Sequence, residues 1–166
     1  MSKKFHRAFG VYGILFVQNK LTVVKKNGGP YINRFDLPGG SLEDGESLNL
    51  AVKREIKEET NTEVLKMKQL GTVSFKYPWH YERWNYNQHI CVFYDITKSK
   101  GEIKNEVPDF IGQDSLGAQL VSLDQLTIEN SSPLVLKAKD YLKHGKVFEV
   151  NDQIFNTWKV LEHSVF

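Results

Sequence analysis

A mixed α/β domain is the fold class this sequence predicts. Three observations support it: short stretches rich in β-branched and aromatic residues, two segments with apolar residues at helical spacing, and the interleaving of the two kinds along the chain. The 166 residues suit one domain, 1–166, and a chain of that size buries about two-thirds of its unfolded surface.

The elements follow in order. Ala8 to Val17 carries Phe9, Val11, Tyr12, Ile14 and Phe16 and reads as a strand. Asn19-Lys20 reads as the turn, and Leu21 to Lys25 as the return strand. Lys26-Asn27-Gly28-Gly29-Pro30 is a loop by composition. A second irregular stretch runs from Phe35 to Gly45, and a helix follows over Ser47 to Thr60. Ser47 or Asp44 caps its start, and Asn61 closes its end because asparagine tolerates the left-handed conformation. Val64 to Ser74 is a strand broken at Gly71, and Gln88 to Ile96 is another. Between them Phe75 to Tyr86 is crowded with rings. Lys98 to Gly117 reads as loop, Ala118 to Ser122 as a short strand, and Asp124 to Asn130 as a short helical turn. Ser132-Pro133 starts a second helix, with Leu134, Ala138, Tyr141 and Leu142 on its apolar face and a stop near Gly145. Lys146 to Phe166 reads as a hairpin, or as a strand followed by an amphipathic turn.

The formal net charge of +2 gives no strong field to attract a nucleic acid or an anionic membrane. Cys91, the lone cysteine, cannot form an internal disulfide, and its apolar neighbours mark it as core packing. The charged start, Met1 to Lys4, precedes no long apolar run, so neither a signal peptide nor a membrane span is expected. A cytoplasmic location is the resulting expectation.

The helix over Ser47 to Thr60 is the anomalous element. Each residue advances about 100° around the axis, so Leu48, Val52 and Ile56 form one apolar stripe with Ala51 beside it. That stripe must face the core. Glu55 projects between Leu48 and Ala51, Glu59 between Leu48 and Val52, and Glu58 just beyond Ala51. Like charges three and four residues apart repel by a few tenths of a kcal/mol when exposed, and by much more when dehydrated. A divalent cation with a preference for oxygen ligands, such as Mg²⁺, would compensate. A solvated acidic helix end neutralised by Arg54 is the alternative.

The residues around the helix resemble the Nudix box: a glycine, five residues, a glutamate, seven residues, then Arg-Glu, an apolar residue, any residue and Glu-Glu. Here Gly40 is followed by Glu46, then Arg54-Glu55-Ile56-Lys57-Glu58-Glu59, and Leu37-Pro38-Gly39 precedes them. The box spans about 40–62. It departs from the pattern at Asn61, where the family has glycine, and at Thr62, where it has an apolar residue. Ala118 to Leu123 and Ser132-Pro133-Leu134 look like the family's late strand and the start of its last helix. The resemblance to this MutT-like superfamily implies an α/β/α sandwich with a mixed sheet between helices.

It also implies a pyrophosphohydrolase that cleaves the diphosphate bond of a nucleoside triphosphate, nucleotide sugar or dinucleotide with Mg²⁺, or with Mn²⁺ as a substitute. By resemblance, Glu58 and Glu59 are metal ligands, the Gly39 carbonyl adds an oxygen, and Glu55 is either a ligand or the base that activates water. Arg54 orients the glutamates with Glu46 as its partner. Pro38, Gly39 and Gly40 let the backbone approach phosphates and ions closely. A further acidic ligand on a later loop falls at Asp114, with Glu106 and Asp109 as competitors.

The rings at 75–86 carry the expectation about substrate. Trp79, Tyr81 or Trp84 would stack on a base, a contact worth about 1–3 kcal/mol in single-strand binding. The competing reading is that the rings alternate between core and surface on a hairpin, or cover a homodimer interface. His80 and His89 read as hydrogen-bonding residues, and Phe5, His6 and Arg7 as a border of the pocket. Two other functions fit the same fold. A catalytically silent nucleotide sensor is disfavoured by the intact Glu55, Glu58 and Glu59. An RNA-end pyrophosphohydrolase is disfavoured by the lack of a basic track.

Overall fold

The computed structural model of the chain describes residues 2–104 and 115–166. Strand β1 (Phe5–Ile14) leads to a tight hairpin formed by β2 (Phe16–Val17) and β3 (Lys20–Lys26). Its turn is Gln18-Asn19, both at positive φ (51° and 60°), one residue earlier than the sequence suggested. After a 3₁₀ turn at Gly29–Tyr31 come two short strands, β4 (Phe35–Asp36) and β5 (Gly39–Gly40). Helix α1 (Leu48–Thr60) follows, then a long hairpin of β6 (Glu63–Tyr81) and β7 (Trp84–Lys100). The chain continues with β8 (Ser115–Val121), α2 (Pro133–Lys143) and β9 (Gln153–Ile154).

Two sheets result. The first has the order β5-β1-β7-β6-β9, with β1 parallel to β7 and β6 antiparallel to it. In the second, β3 takes β2 and β4 on one edge and β8 on the other. The long hairpin replaces the separate strands expected at 64–74 and 88–96. Its ladder shifts register between Gln69 and Gly71, at the break anticipated there.

Alternation along β7 divides the core into two layers. Val92, Tyr94 and Ile96 face α1, where they meet Ala51, Val52 and Ile56. Cys91 and Phe93 face the other way, toward β3 and the α2 residues Leu134, Val135 and Ala138. The helices therefore lie on opposite sides of the sheets, as expected of an α/β/α sandwich. Ala51, Val52 and Ile56 are completely buried, and each of the branched pair contributes roughly 1.5–3 kcal/mol of transfer free energy. Gly13 of β1 makes this docking close, because a Cβ there would collide with Ile56 Cδ1.

Both helix caps are those the sequence implies. Ser47 accepts a hydrogen bond from the Leu50 amide at 3.3 Å, and Asn61 stands at φ 63° with its N–H on the Lys57 carbonyl. Ser132 caps α2 in the same way and also donates to Asp36 Oδ1 at 2.5 Å, which ties α2 to β4. Residues 147–166 form neither of the alternatives expected of them. Apart from the two residues of β9, paired parallel to β6, they run as an irregular strap held by ring contacts and hydrogen bonds. No helix among the described residues is long and apolar enough to cross a membrane.

Candidate active site

The site begins with the short β5 strand. Tyr12 and Val11 pair with Gly39 and Gly40, and the Gly13 amide donates to Pro38 O at 2.9 Å. Gly39 lies at φ 149°, and a Cβ there would overlap the Val11 carbonyl, so only glycine fits. Its amide donates to Glu59 Oε1 at 2.8 Å. Glu59 is almost wholly buried, the last acidic residue of α1 turned inward against β5.

Between β5 and α1 the chain folds back on itself. The Glu46 amide donates to Glu43 O at 3.0 Å, and the Glu43 amide donates to Glu46 Oε2 at 2.9 Å. This aims the Glu46 carboxylate at Arg54, one turn into the middle of α1. Arg54 Nε donates to Glu46 Oε1 at 2.8 Å and an Nη to Glu46 Oε2 at 2.9 Å, a bidentate pair. The same guanidinium reaches Glu55 Oε1 at 2.9 Å, Glu58 Oε2 at 3.3 Å and the Ser41 carbonyl at 3.0 Å. The hydrogen bonds from Arg54, helped by the Glu43 amide, hold the Glu46 carboxyl down at about 2. Glu46 in turn raises the already basic Arg54.

Arg54 thus gathers three carboxylates that would otherwise repel. Gly40 completes the packing, since a Cβ there would stand 2.8 Å from Glu55 Oε1. Among the described residues no three His, Cys, Asp or Glu side chains converge into a ready cation cage. Arg54 holds Glu55 and Glu58, and the Gly39 amide holds Glu59. The donor set nevertheless suits a hard cation: its members are all carboxylate oxygens, on adjacent turns of one helix, beside a backbone without side chains. Asp114, Glu106 and Asp109 lie outside the described residues.

A cavity of about 530 Å³ opens on the other side of Tyr12. Tyr12 lines it and its backbone is also paired with Gly39, whose amide holds Glu59. Its lining mixes polar and charged groups, Lys26 and Asp36 among them. His89 is buried, with Nε2 at 2.8 Å from the Tyr12 hydroxyl and Nδ1 at 3.0 Å from the Tyr31 hydroxyl. Burial, with the Lys26 charge adding, pushes the imidazole down to about 3. A neutral ring has one N–H and one lone pair, so one tyrosine hydroxyl accepts from it and the other donates to it. Beside it, Asn87 Nδ2 donates to the Tyr77 hydroxyl at 2.7 Å, and its Oδ1 lies 2.9 Å from His6 Nδ1.

The rings at 75–86 divide by position. Phe75, Tyr77, Trp79 and Tyr81 share one face of β6, the first two fully buried and Tyr81 exposed. The start of the run is core, and Trp79 and Tyr81 wall the cavity. Those two rings stack at 5.0 Å and 7°. Trp84, expected as a substrate contact, is not in the cavity wall. The Glu82-Arg83 turn places it across from Tyr81, where it stacks on the outer side at 6.2 Å under the Arg83 guanidinium.

Tyr12, Tyr31, Asp36 and Asn87 line the cavity without having been singled out from the sequence. The parallel pairing of β1 with β7 brings His6 beside Asn87 and Ala8 beside His89. That register is the missing signal, because it joins residues more than eighty positions apart.

The NUDIX domain model matches residues 4–144. The chain belongs to the NUDIX family. Its matched span takes in the α1 carboxylates, the β5 glycines and most of the cavity wall. An ADP-ribose pyrophosphatase of Methanocaldococcus jannaschii is 47% identical over 55 residues, 33% of this chain and 32% of that protein. An 8-oxo-dGTP diphosphatase of Buchnera aphidicola is 27% identical over 94 residues, 56% of this chain and 65% of that protein. The chain therefore spans about a third and just under two-thirds of the lengths of these relatives. Among solved structures, a MutT NUDIX hydrolase from Burkholderia pseudomallei superposes with a TM-score of 0.64 at 20% identity, covering 81% of this chain and 97% of that one. A MutT protein from Bacillus halodurans gives 0.61 at 19% identity, covering 93% and 95%. These two likenesses show that the Nudix fold is shared.

Proposed function

We propose that this chain hydrolyses the pyrophosphate bond of a nucleoside diphosphate linked to a further group, using a divalent cation, Mg²⁺ by preference and Mn²⁺ as a substitute. The observation that carries this reading is the Arg54 clamp. One guanidinium gathers Glu46, Glu55 and Glu58 beside Gly40, on the short strand that pairs with Tyr12 of a ring-walled cavity of nucleoside size. The family supports bond class, and the names of the two relatives point to ADP-ribose and 8-oxo-dGTP as the first compounds to try.

In this reading Glu58 and Glu59 would hold the cation, with the Gly39 carbonyl as a further oxygen. When bound, the ion neutralises the phosphate oxygens and lowers the pKa of water. Arg54 keeps the carboxylates aligned, and Glu46 keeps Arg54 in place through the bidentate pair. Glu55 stands beside Gly40, placed either to accept the proton of the attacking water or to join the ligand set. Water adds to one phosphorus, the bond from that phosphorus to the bridging oxygen breaks, and the second phosphoryl group departs with the oxygen. Trp79 and Tyr81 offer stacked faces to a base. The neutral His89 hydrogen-bonds Tyr12 and Tyr31 without adding a charge of its own to the cavity.

The test is product analysis with ADP-ribose, 8-oxo-dGTP and a panel of nucleotide sugars and dinucleotides, each with Mg²⁺ and with a chelator. Cleavage between two phosphorus atoms, abolished by the chelator, is expected for at least one compound. Binding without turnover across the panel would replace this reading with a nucleotide-binding module.

A further inference from the structure

We infer that Trp158 is a positioning residue for the cavity, and that the 147–166 strap sets substrate affinity from behind the cavity wall. The inference rests on reading the cavity as the nucleotide site. The strap lies outside the residues matched by the family model, so the family as such does not account for it.

The wall in question is the loop Gly28–Tyr31, whose first three residues, Gly28, Gly29 and Pro30, carry no polar side chain to anchor them. Two of its residues are glycines, Gly29 stands at φ 69°, and Pro30 has no N–H to donate. Its 3₁₀ turn closes with a single bond, from the Ile32 amide to Gly29 O at 3.2 Å. The indole N–H of Trp158 donates to the Pro30 carbonyl at 2.8 Å. The same indole packs edge-on against Tyr31 at 5.6 Å and tilted against Tyr77 at 5.0 Å.

Those two tyrosines are the second-to-last links of the cavity floor. Tyr31 bonds His89, and Tyr77 accepts from Asn87, which contacts His6. Displacing Trp158 therefore loosens one wall and both polar chains together, while α1 and its carboxylates belong to the opposite core layer.

The strap is seated by more than Trp158. Arg34 is buried beneath it, donating to Lys159 O at 2.8 Å, with its guanidinium 4.6 Å from the centre of the Trp158 ring. Among the described residues its buried Nε has no hydrogen-bond partner, a cost that the other Arg34 contacts offset. Asn33 Nδ2 donates to Leu161 O at 2.7 Å, and the Val165 amide donates to Asn33 O at 3.1 Å. The segment 31–34 is thus clasped on its cavity side by His89 and on its outer side by the strap.

The experiment compares wild type, Trp158→Phe and Trp158→Leu by amide hydrogen exchange and by steady-state kinetics on ADP-ribose or 8-oxo-dGTP, whichever the wild type hydrolyses. Phe keeps one aromatic ring against Tyr31 and Tyr77 but loses the N–H and part of the packing, so KM is expected to rise about fivefold. Leu loses the ring contacts as well, and a rise of about tenfold or more is expected, with kcat within about twofold for both. Exchange should accelerate over 28–34 and stay unchanged over 48–60. A fall in kcat at constant KM, or exchange that rises equally in both segments, would overturn the inference and leave Trp158 as general packing. If the Leu variant does not fold, the Phe variant decides alone. If the wild type hydrolyses neither compound, the exchange comparison still decides the positioning role, and the failure belongs to the proposed reaction.

Discussion

Acidification should strip stability from this protein through one buried imidazole. His89 is enclosed between the Tyr12 and Tyr31 hydroxyls and is held down to about 3 by burial, against about 6.5 for an exposed histidine. Below pH 6.5 the unfolded chain takes up a proton that the folded chain refuses. Stability therefore falls as pH drops through the window from 6.5 to about 3. The linkage amounts to about 2 kcal/mol at pH 5 and roughly 4–5 kcal/mol by pH 3. His89→Gln keeps a donor and an acceptor but cannot titrate. Urea unfolding at pH 7.5 and pH 5.0 isolates the effect, because carboxylates shared by both proteins cancel in the comparison. The wild type should lose about 2 kcal/mol more than the variant between the two pH values. Equal losses would mean that the imidazole protonates inside the fold, and the neutral state of the buried His89 would have to be abandoned.

Three further outcomes follow from the site and its helix. Gly40→Ala places a Cβ 2.8 Å from Glu55 Oε1 and forces that carboxylate to shift, so kcat/KM should fall about 10–100-fold while far-UV circular dichroism is retained. Glu46 is held at about 2 against an ordinary 4.5, so it contributes stability above pH 4.5 that is lost as pH falls toward 2; Glu46→Gln should flatten that part of the acid unfolding curve. Asn61→Ala at φ 63° should cost about 1 kcal/mol in urea unfolding, whereas Asn61→Gly should be neutral or slightly stabilising.

Local chemistry explains what could be read from the sequence. The α1 helix was legible in full because its stripe, its Ser47 cap and its Asn61 stop are all encoded within a few residues of one another. The clustering of Glu55, Glu58 and Glu59 was legible for the same reason, from their spacing along one helix, whereas the Arg54–Glu46 pair, which reaches outside the helix, came only from the family resemblance. What distance in sequence conceals was not legible. Nothing near His89 announces Tyr12 or Tyr31, since only the parallel register of β1 and β7 and the 29–31 turn bring the three together. Trp84 was not distinguishable from Trp79 and Tyr81 in the sequence, because a two-residue turn sets its place beside them. The strap escaped because it is almost without regular structure: its order comes from Trp158, Phe148 and Phe166 seated on rings elsewhere, and no periodicity reports such contacts.

The measurement that bears most directly on the central claim is Mg²⁺-dependent pyrophosphate cleavage by Glu59→Gln, with its thermal midpoint taken in the absence of metal. Gln keeps an oxygen to accept the Gly39 amide, so the buried corner of α1 survives while a negative charge is removed. The account predicts that cleavage is abolished and that the midpoint is unchanged or raised. Undiminished cleavage, or a variant that does not fold, would contradict it and leave Glu59 as a structural anchor for β5.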